Sequence, residues 1–171
     1  MERPLTQFIH PGCPPFDLKE YEMTGGYTAL KKALGGMAPL DVQKLVQESG
    51  LKGRGGAGFN TGMKWSFVPM GDEAPHPKYL IANADEMEPG TFKDRYLMEF
   101  LPHLLIEGLV VSSFALGSNS TYIYIRGEYA WIVDILEQAI AEAKLVLSQA
   151  AATAAVDKQV EALKDQNAMI N

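Results

Sequence analysis

The sequence contains a single cysteine, Cys13, among its 171 residues. One thiol cannot build an internal disulfide framework, and it supplies too few thiolates to hold an iron–sulfur cluster within this chain. The sequence also has no run of about 18 consecutive apolar residues, the length that a membrane-spanning helix requires. These absences predict a domain from a reducing compartment, with no direct insertion into a membrane.

Positive charge is also scarce, because 15 Lys and Arg residues face 21 Asp and Glu residues, for a net charge of −6. Proteins that bind nucleic acid usually present an excess of positive charge, so we expect no nucleic-acid partner. The apolar content of 47% is ordinary for a globular protein, and 171 residues are enough for one hydrophobic core. Composition therefore predicts one folded domain and indicates little more about its function.

Glycine is concentrated in one place, since six of the 16 glycines lie within residues 50–65. A backbone without Cβ atoms can adopt positive φ angles and bring its N–H groups close to a ligand, and such groups favour phosphate. Arg54 and Lys64 add full positive charge to the same stretch. A flexible linker is the alternative, but linkers are usually Gly/Ser-rich and lack aromatic residues such as Phe59 and Phe67. The stretch therefore predicts a ligand-binding loop.

Two common nucleotide-binding motifs do not fit this loop. Gly53, Gly55 and Gly58 satisfy the pattern G-x-G-x-x-G, but a Rossmann dinucleotide motif requires a buried strand directly before the first glycine. Residues 41–49 have helical spacing instead. A P-loop would end in G-K-S or G-K-T, which is absent here. Neither motif therefore explains the loop.

Hydrophobic patterns predict an α/β fold, a Rossmann-like sandwich with a short parallel sheet, the glycine-rich loop and a long C-terminal helix. The two strands are the apolar run 78–84 and the β-branched and aromatic run 121–125. The strongly apolar helix 101–116 between them completes a βαβ unit, whose strands should be parallel. Further helices are predicted over 27–34, over 41–49, from 93 and from 128 onward.

Polar residues follow the first predicted strand, at the position where ligands bind in α/β sheets. The three carboxylates among them could form a solvated acidic turn, because like charges repel and their burial is costly. They could instead accept hydrogen bonds from hydroxyl and amide groups of a ligand and repel an additional phosphate. The residues concerned are Asn83, Asp85, Glu86 and Glu88.

Two histidines receive structural interpretations. His76 lies between prolines, without a partner at the spacing of metal ligands, and is predicted to be an exposed loop residue. His103 lies on the long apolar helix and is predicted to be a partly buried structural residue.

Two long motifs resemble one known family. Residues 53–65 read GRGGAGFNTGMKW, and residues 83–95 read NADEMEPGTFKDR. Both resemble signatures, in the same order, of the FMN- and NADH-binding flavoprotein subunit of respiratory complex I. Related flavoprotein subunits of NAD-linked hydrogenases and formate dehydrogenases look similar. The resemblance covers about the first 145 residues, and Asn60 stands where the family usually has proline.

The resemblance implies that the chain binds FMN and NADH and takes part in hydride transfer from NADH to FMN. No catalytic side chain is needed for that step, because the cofactors carry the chemistry. The implied cofactor-binding residues of the loop are Gly53, Arg54, Gly55, Gly56, Ala57, Gly58 and, near the flavin, Lys64. The others are Asn83 and Asp85 at FMN, Glu86 and Glu88 towards the nicotinamide, which Glu88 would position, and Phe59 and Phe67 flanking the adenine.

The resemblance also implies partners, namely NADH and other subunits of a respiratory or NAD-linked redox complex, including a chain that supplies iron–sulfur centres. It places the chain in the cytoplasm, or peripherally on the cytoplasmic face of the inner membrane.

Three parts of the chain are predicted. Residues 1–20 form a proline-rich extended arm, residues 21–145 form an FMN/NADH-binding α/β domain that is incomplete relative to the family, and residues 146–171 form an alanine-rich amphipathic helical tail that diverges from it. The chain is therefore expected to act within a larger assembly, as a fragment, a truncated paralogue or half of a split subunit. The alternative is a non-catalytic nucleotide-binding or assembly module.

Overall fold

The computed structural model describes residues 5–10 and 12–168, with side chains described as far as Gln149. Seven α-helices, two strands and one 3₁₀ turn occur in this part of the chain. In chain order they are α1 (Leu18–Met23), α2 (Thr28–Leu34), α3 (Pro39–Glu48), α4 (Thr61–Trp65), β1 (Tyr79–Ala84), α5 (Lys93–Phe100), α6 (Pro102–Leu116), β2 (Ser120–Ile125), the turn Gly127–Tyr129 and α7 (Ala130–Ala168).

The two strands form one parallel sheet, as their sequence patterns predict. The register runs from Tyr79 opposite Ser120 to Ala84 opposite Ile125. Parallel strands cannot be joined by a tight turn, and here α5 and α6 make the crossover between them. The predicted α/β class, short parallel sheet and long C-terminal helix are confirmed.

Helix α6 is the central element of the core, and its bounds follow from local chemistry. Pro102 occupies the first turn, where its missing N–H costs nothing, and Gly117 ends the helix in the left-handed conformation at φ 62°. The apolar residues between them contact α2, α3, β1, β2 and α7. The helix predicted over 101–116 is therefore confirmed.

The sheet is covered by helices on one face. Ala84, Ile123 and Ile125 pack against Ile132 and Leu136 of α7, with Leu105 of α6 beside them. The opposite face is exposed, because its alternating side chains each keep more than half of their surface accessible. These side chains are Tyr79, Ile81, Tyr122 and Tyr124.

The N-terminal arm differs from its predicted extent. Residues 1–4 lie outside the described residues, and α1 begins at Leu18, within the range 1–20 that proline content marked as extended. The reason is a capping box, in which Asp17 accepts from the Glu20 N–H and the Glu20 carboxylate accepts from the Asp17 N–H. Before this helix, the Phe16 N–H donates to the Phe100 carbonyl over 2.9 Å, which ties the arm to α5.

Helix α7 spans 39 residues and includes most of the predicted tail. The amphipathic pattern predicted within 146–171 lies largely outside the described side chains, and residues 169–171 lie outside the described backbone. In the described residues no single helix has the length and apolar character to cross a membrane. Only α5 and α6 meet that condition together, as a pair bent by 98°.

Candidate functional site

The glycine-rich loop is closed at its neck by backbone hydrogen bonds. The Gly53 N–H donates to the Phe59 carbonyl and the Thr61 N–H to the Leu51 carbonyl, each over 2.8 Å. Between these bonds the chain turns back on itself with Gly56 at φ 110° and Gly58 at φ 62°. Residues that carry a Cβ atom rarely adopt such positive φ angles, so the backbone conformation favours glycine at both positions.

Gly53 and Gly55 are not explained by backbone conformation, because neither has a positive φ angle. A Cβ added to Gly55 would meet no atom within 4 Å, and one added to Gly53 would make only an ordinary contact with the Phe59 carbonyl at 3.7 Å. Packing within the described chain therefore does not require glycine at Gly55. The bare backbone there leaves room for a ligand.

The loop also holds polar groups without partners. In the part of the chain that the structure describes, the N–H groups of residues 54–58 donate no hydrogen bond, and neither Arg54 nor Lys64 forms an ion pair. N–H groups and cations that have no partner within the protein favour an anion. The geometry thus agrees with the phosphate-binding character that the sequence predicts.

Helix α4, which follows the loop, is fixed by two local contacts. The Asn60 side chain caps it by accepting from the Met63 N–H over 2.8 Å. Asn60 has φ −63°, the value that a proline ring would also impose, so this asparagine and the proline that the resemblance implies at this position suit the same backbone. Gly62 is buried against α3, where a Cβ would overlap the backbone of Gln47.

The loop, α4 and the amino-terminal half of β1 enclose a cleft of about 580 Å³. Six of the predicted site residues line it: Gly53, Gly55, Ala57, Gly58, Phe59 and Lys64. The cleft is also lined by residues that the sequence prediction did not single out as site residues, among them Trp65, Lys78, Tyr79 and Ile81. Arg54, Gly56 and Phe67 belong to the same region but do not line the cleft.

Lys78 fixes one rim of the cleft. Its ammonium group donates to the Pro69 carbonyl over 2.6 Å and to the Leu116 carbonyl over 3.1 Å, so it joins the loop after α4 to the end of α6. Both acceptors are neutral, and Lys78 forms no ion pair in the described chain. It therefore adds a second positive charge to the cleft beside Lys64. The contacts of Lys78 in the structure indicate this role in the cleft. Its neighbours in the sequence do not.

Two aromatic rings lie close together at the mouth of the cleft. The ring centroids of Phe59 and Phe67 are 6.3 Å apart with an interplanar angle of 50°. Both side chains are exposed, at 47% and 69% of their surface. Exposed apolar rings at this spacing offer faces on which a planar base can stack.

The acidic segment lies at the other end of β1 and does not line the cleft. Asn83 follows Tyr79 and Ile81 on the exposed face of the sheet, about 13 Å along the strand from Tyr79. Its side-chain carbonyl accepts from the Asp85 N–H over 3.1 Å, and the Glu88 side chain is exposed. Asn83, Asp85 and Glu88 are thus accessible, but separated from the glycine loop.

Glu86 has a structural task that its sequence context did not indicate. It is only 5% exposed, and its two carboxylate oxygens accept from the N–H groups of Asp94 and Arg95 over 2.9 and 3.2 Å. These N–H groups belong to the first turn of α5, so the carboxylate caps that helix. The sequence also predicts a ligand contact for Glu86, but both of its oxygens are engaged within the protein.

Arg126 follows β2 and meets the acidic segment at the same edge of the sheet. Its guanidinium donates to the Glu86 carbonyl over 2.8 Å and to the Glu128 carboxylate over 2.9 Å. The hydrogen bond with Glu128 raises the pKa of Arg126 and lowers the pKa of Glu128. Arg126 therefore stays charged beside Asp85 and is a further candidate site residue.

A second polar region lies inside the protein, centred on Glu107 of α6. Its carboxylate accepts from the Tyr21 hydroxyl over 2.5 Å, the Tyr27 N–H over 2.9 Å and the Leu30 N–H over 3.0 Å. The last two bonds cap the start of α2 from a different helix. Burial, together with the Glu107 carboxylate, raises the pKa of both tyrosines well above their ordinary range.

His103 extends this region towards α7. It is 1% exposed, with Nδ1 at 2.8 Å from the Tyr27 hydroxyl and Nε2 at 3.0 Å from the Glu142 carboxylate. Burial lowers the pKa of His103, although the Glu142 carboxylate opposes that shift. A neutral ring that donates to Glu142 and accepts from Tyr27 satisfies all three groups. The predicted structural role of His103 is confirmed, and its burial is nearly complete.

Comparisons with known proteins point to one family. Residues 46–166 match the family model described as the Nuo51 FMN-binding domain. The chain is 62% identical over 126 residues to the F 2 subunit of NADH-quinone oxidoreductase from Rhizobium meliloti (strain 1021), covering 74% of this chain and 30% of that protein. It is 52% identical over 140 residues to the F subunit of the Escherichia coli (strain K12) enzyme, covering 82% of this chain and 31% of that protein.

A solved structure is also similar. The chain superposes on part of an NAD⁺-reducing [NiFe]-hydrogenase in the air-oxidised state with a TM-score of 0.60 and 36% sequence identity. The match covers 74% of this chain and 22% of that one. This chain therefore spans about a third, or less, of the length of the relatives that it matches.

Proposed function

Because the chain belongs to the Nuo51 FMN-binding domain family, we propose that it forms the FMN- and NADH-binding part of an NADH dehydrogenase flavoprotein subunit. The family membership agrees with the two motifs at residues 53–65 and 83–95. The observation that carries the proposal is the cleft at the glycine loop. It is lined by Gly55, Ala57 and Gly58, whose N–H groups donate to no described residue, and by two lysines, Lys64 and Lys78. An anionic cofactor is the ligand that these groups would hold.

The chemistry of the cleft fits FMN. Its volume of about 580 Å³ lies within the ordinary range of cofactor pockets. The N–H groups of Gly55, Ala57 and Gly58, with Arg54 nearby, would hold phosphate, and Lys64 would lie near the flavin. Trp65 and Tyr79 offer apolar faces for a planar ring system, and Phe59 with Phe67 would flank the adenine of NADH.

The exposed face of β1 connects the cleft with the acidic segment. Tyr79 and Ile81 line the cleft, and Asn83 is the next residue on that face. A ligand that extends along the strand would therefore reach Asn83 and Asp85 from the loop. Asn83 and Asp85 would contact FMN, and Glu88 would position the nicotinamide. We assign Glu86 to the support of this segment, because both of its oxygens bind backbone N–H groups.

FMN, when bound, accepts a hydride from NADH and releases the electrons one at a time. The residues of this chain would hold and orient the cofactors. The carboxylates of Asp85 and Glu88 would accept hydrogen bonds from hydroxyl and amide groups, and their charge disfavours a dinucleotide with an additional phosphate. No side chain of the site needs to transfer a proton.

We further propose that the chain works within a multisubunit complex. Its relatives are named as subunits of NADH-quinone oxidoreductase, and the similar structure is an NAD⁺-reducing hydrogenase. The electrons would pass to iron–sulfur centres held by another polypeptide. The proposed location is the cytoplasm or the cytoplasmic face of the inner membrane.

A nucleotide-binding module without redox activity is the second candidate. The observation that favours it is the separation of the acidic segment from the cleft, which leaves the cleft as a binding site without its carboxylates. Such a module would bind FMN or NADH through the glycine loop without electron transfer between them.

The test is an absorption spectrum of the 171-residue chain, titrated with FMN and then, without oxygen, with NADH. The proposal predicts a shift of the flavin band on binding and its bleaching by NADH. Lys64→Ala should weaken FMN binding by roughly tenfold, because a charge-assisted contact to the bound cofactor is lost. Lys32→Ala, which removes an exposed lysine from α2, is the matched control.

Three results are decisive. A shift followed by bleaching supports the redox proposal, and a shift without bleaching supports the second candidate. A folded chain that binds neither FMN nor NADH contradicts both.

A further inference from the structure

The acidic segment, which continues from β1 into residues 85–91, is held at Glu86 from two sides. The Glu86 carboxylate accepts from two N–H groups in the first turn of α5 over 2.9 and 3.2 Å. Its main-chain carbonyl accepts from the Arg126 guanidinium over 2.8 Å. Asp85 and Glu88, whose carboxylates are accessible, therefore lie on either side of a fixed residue.

Few other contacts fix this segment. Among the side chains that the structure describes, only that of Arg126 reaches residues 85–91 with a hydrogen bond from an element other than β1 and α5. Within the segment, the Thr91 N–H donates to the Glu88 carbonyl over 3.0 Å and closes a local turn. The direction of the segment relative to the sheet therefore depends on Arg126 and on the cap that Glu86 provides.

The guanidinium of Arg126 is itself fixed. Its Nε and Nη2 atoms lie 3.3 and 2.9 Å from the Glu128 carboxylate, and its Cζ atom lies 5.9 Å from the centre of the Tyr129 ring. Tyr129 is only 8% exposed and packs in a core cluster that includes residues of α7. Because the N–H donors of arginine lie in a rigid plane, one side chain can bind the carboxylate and the Glu86 carbonyl at once.

Arg95 provides a comparison within the same region. Its guanidinium also lies over the Tyr129 ring, with Cζ at 5.7 Å from the ring centre. Its side chain donates no hydrogen bond to the acidic segment in the part of the chain that the structure describes. Two arginines therefore bring the same charge to the same ring, and only Arg126 binds the main chain of the segment.

We propose that Arg126 is a positioning residue, which holds the acidic segment through the Glu86 carbonyl so that Asp85 and Glu88 face the dinucleotide. Carboxylates repel an additional phosphate only where they are held close to it. Arg126 thereby strengthens the preference for a dinucleotide without that phosphate, although its own charge attracts one. The inference rests on the proposed function, because that function assigns Asp85 and Glu88 to the cofactors.

The first measurement is amide hydrogen exchange in the chain without cofactors, followed by NMR. Arg126→Gln removes the bond to the Glu86 carbonyl. It should speed exchange of the Asp94 amide, which the Glu86 carboxylate protects, by roughly tenfold. Arg95→Gln is the matched control, because it removes the same charge from the same ring and leaves that bond in place. It should change this exchange rate by less than about twofold.

Arg126→Lys separates geometry from charge. A lysine keeps the positive charge, but its single nitrogen cannot replace a planar group that binds a carbonyl and a carboxylate together. Exchange of the Asp94 amide should therefore still be faster than in the parent chain, by roughly threefold. Circular dichroism checks that the variants fold, and Arg126→Lys keeps the test decisive if Arg126→Gln does not.

The second measurement is the ratio of the NADP⁺ and NAD⁺ dissociation constants, determined by calorimetry on the chain saturated with FMN. Oxidised dinucleotides bind without reducing the flavin. Loss of a positive charge alone should strengthen repulsion of the additional phosphate and raise this ratio, as expected for Arg95→Gln. Release of the acidic segment should instead lower the ratio in Arg126→Gln by roughly fivefold. The two variants thus move the ratio in opposite directions.

The inference is overturned if both Arg126 variants exchange the Asp94 amide as slowly as the parent chain. It is also overturned if the ratio rises in Arg126→Gln as it does in Arg95→Gln, because Arg126 would then act through its charge alone. A parent chain that binds neither FMN nor NAD⁺ contradicts the proposed function instead, and the preference assigned to Arg126 falls with it. The exchange rates still show in that case whether Arg126 holds the segment.

Discussion

The two polar regions of this protein differ in where their hydrogen bonds go. In the buried region around Glu107, each carboxylate oxygen, hydroxyl and ring nitrogen has a partner within the chain. In the glycine cleft, the N–H groups of residues 54–58 and the charge of Lys64 have none among the described residues. The buried region stabilises the fold, whereas the cleft presents groups that no described residue pairs with and that are free to bind a ligand.

Whether polar groups have partners within the chain distinguishes residues that serve function from residues that serve stability. It does so more clearly than the burial or the charge of those residues. Glu107 is a buried carboxylate of the type that often marks an active site, yet its three donors explain its presence completely. Gly55 is exposed with open space around it, yet nothing within the described chain explains why it is glycine. Substitutions in the first region should therefore change the free energy of unfolding, and substitutions in the second should change ligand affinity.

The largest effect is expected at Glu107. Glu107→Ala leaves the Tyr21 hydroxyl and two N–H groups of α2 buried without an acceptor, and should lower the free energy of unfolding by about 4 kcal/mol. Glu107→Gln keeps the shape and one acceptor and should cost about half as much. Urea denaturation measures both. Glu48→Ala, on an exposed pair with Lys44, is the control and should change stability by less than about 0.5 kcal/mol.

The next effect concerns alkaline pH. Burial raises the pKa of Tyr21 and Tyr27, so above about pH 10 the unfolded chain releases two protons that the folded chain retains. Stability should therefore fall by up to about 2.7 kcal/mol per pH unit as pH rises above 10. Tyr27→Phe should remove about half of this slope. An unchanged slope in that variant would mean that Tyr27 ionises as readily in the folded chain as in the unfolded one.

His103 gives a smaller effect at acid pH. Its pKa is lowered by burial, so the unfolded chain takes up a proton that the folded chain does not. Stability should fall by about 1.4 kcal/mol per pH unit as pH drops below about 6.5. His103→Gln should flatten this part of the profile, and a thermal-unfolding series against pH measures it. A profile that stays as steep in the variant would assign the loss to other groups.

Gly62, which belongs to the glycine-rich motif, provides a further test of the comparison between the buried region and the cleft. Gly62→Ala should cost about 2 kcal/mol, because the new methyl group would overlap the Gln47 backbone and force α3 and α4 apart. Thermal unfolding measures the loss. A variant as stable as the parent would show that α4 moves away from α3 without cost. Gly62 thus belongs to the stabilising group, although its motif is the one that carries the predicted function.

Sequence patterns are sufficient to predict most of the helices and strands, because the signals for these elements lie in neighbouring residues. The alternation and β-branched residues of β1 and β2, the apolar run of α6 and the glycine after it each depend on neighbours along the chain. Helix α1 is the exception, because the prolines before it predict an extended arm. The Asp17–Glu20 capping box, which is visible in the sequence, is the signal that outweighs them in the structure.

The candidate site was less predictable because its geometry is not local. The spacing of Glu86 beside Asp85 and Glu88 does not indicate that it turns inward to cap α5. Lys78 and Arg126 are placed in the region in part by contacts with residues about 40 positions away, Leu116 and Glu86. The one available signal for the buried region was the placement of His103 and Glu107 four residues apart on a predominantly apolar helix.

The most direct test of the account is the FMN affinity of Gly55→Ala, measured by flavin fluorescence together with thermal unfolding. A Cβ at this position meets no protein atom, so the free energy of unfolding should change by less than about 0.5 kcal/mol. The same methyl group would occupy the space proposed for the cofactor and should weaken FMN binding by about tenfold or more. Gly108→Ala, on α6 and away from the cleft, should leave the affinity unchanged. If Gly55→Ala binds FMN as tightly as the parent chain, the cofactor does not approach this backbone and the proposed site is wrong.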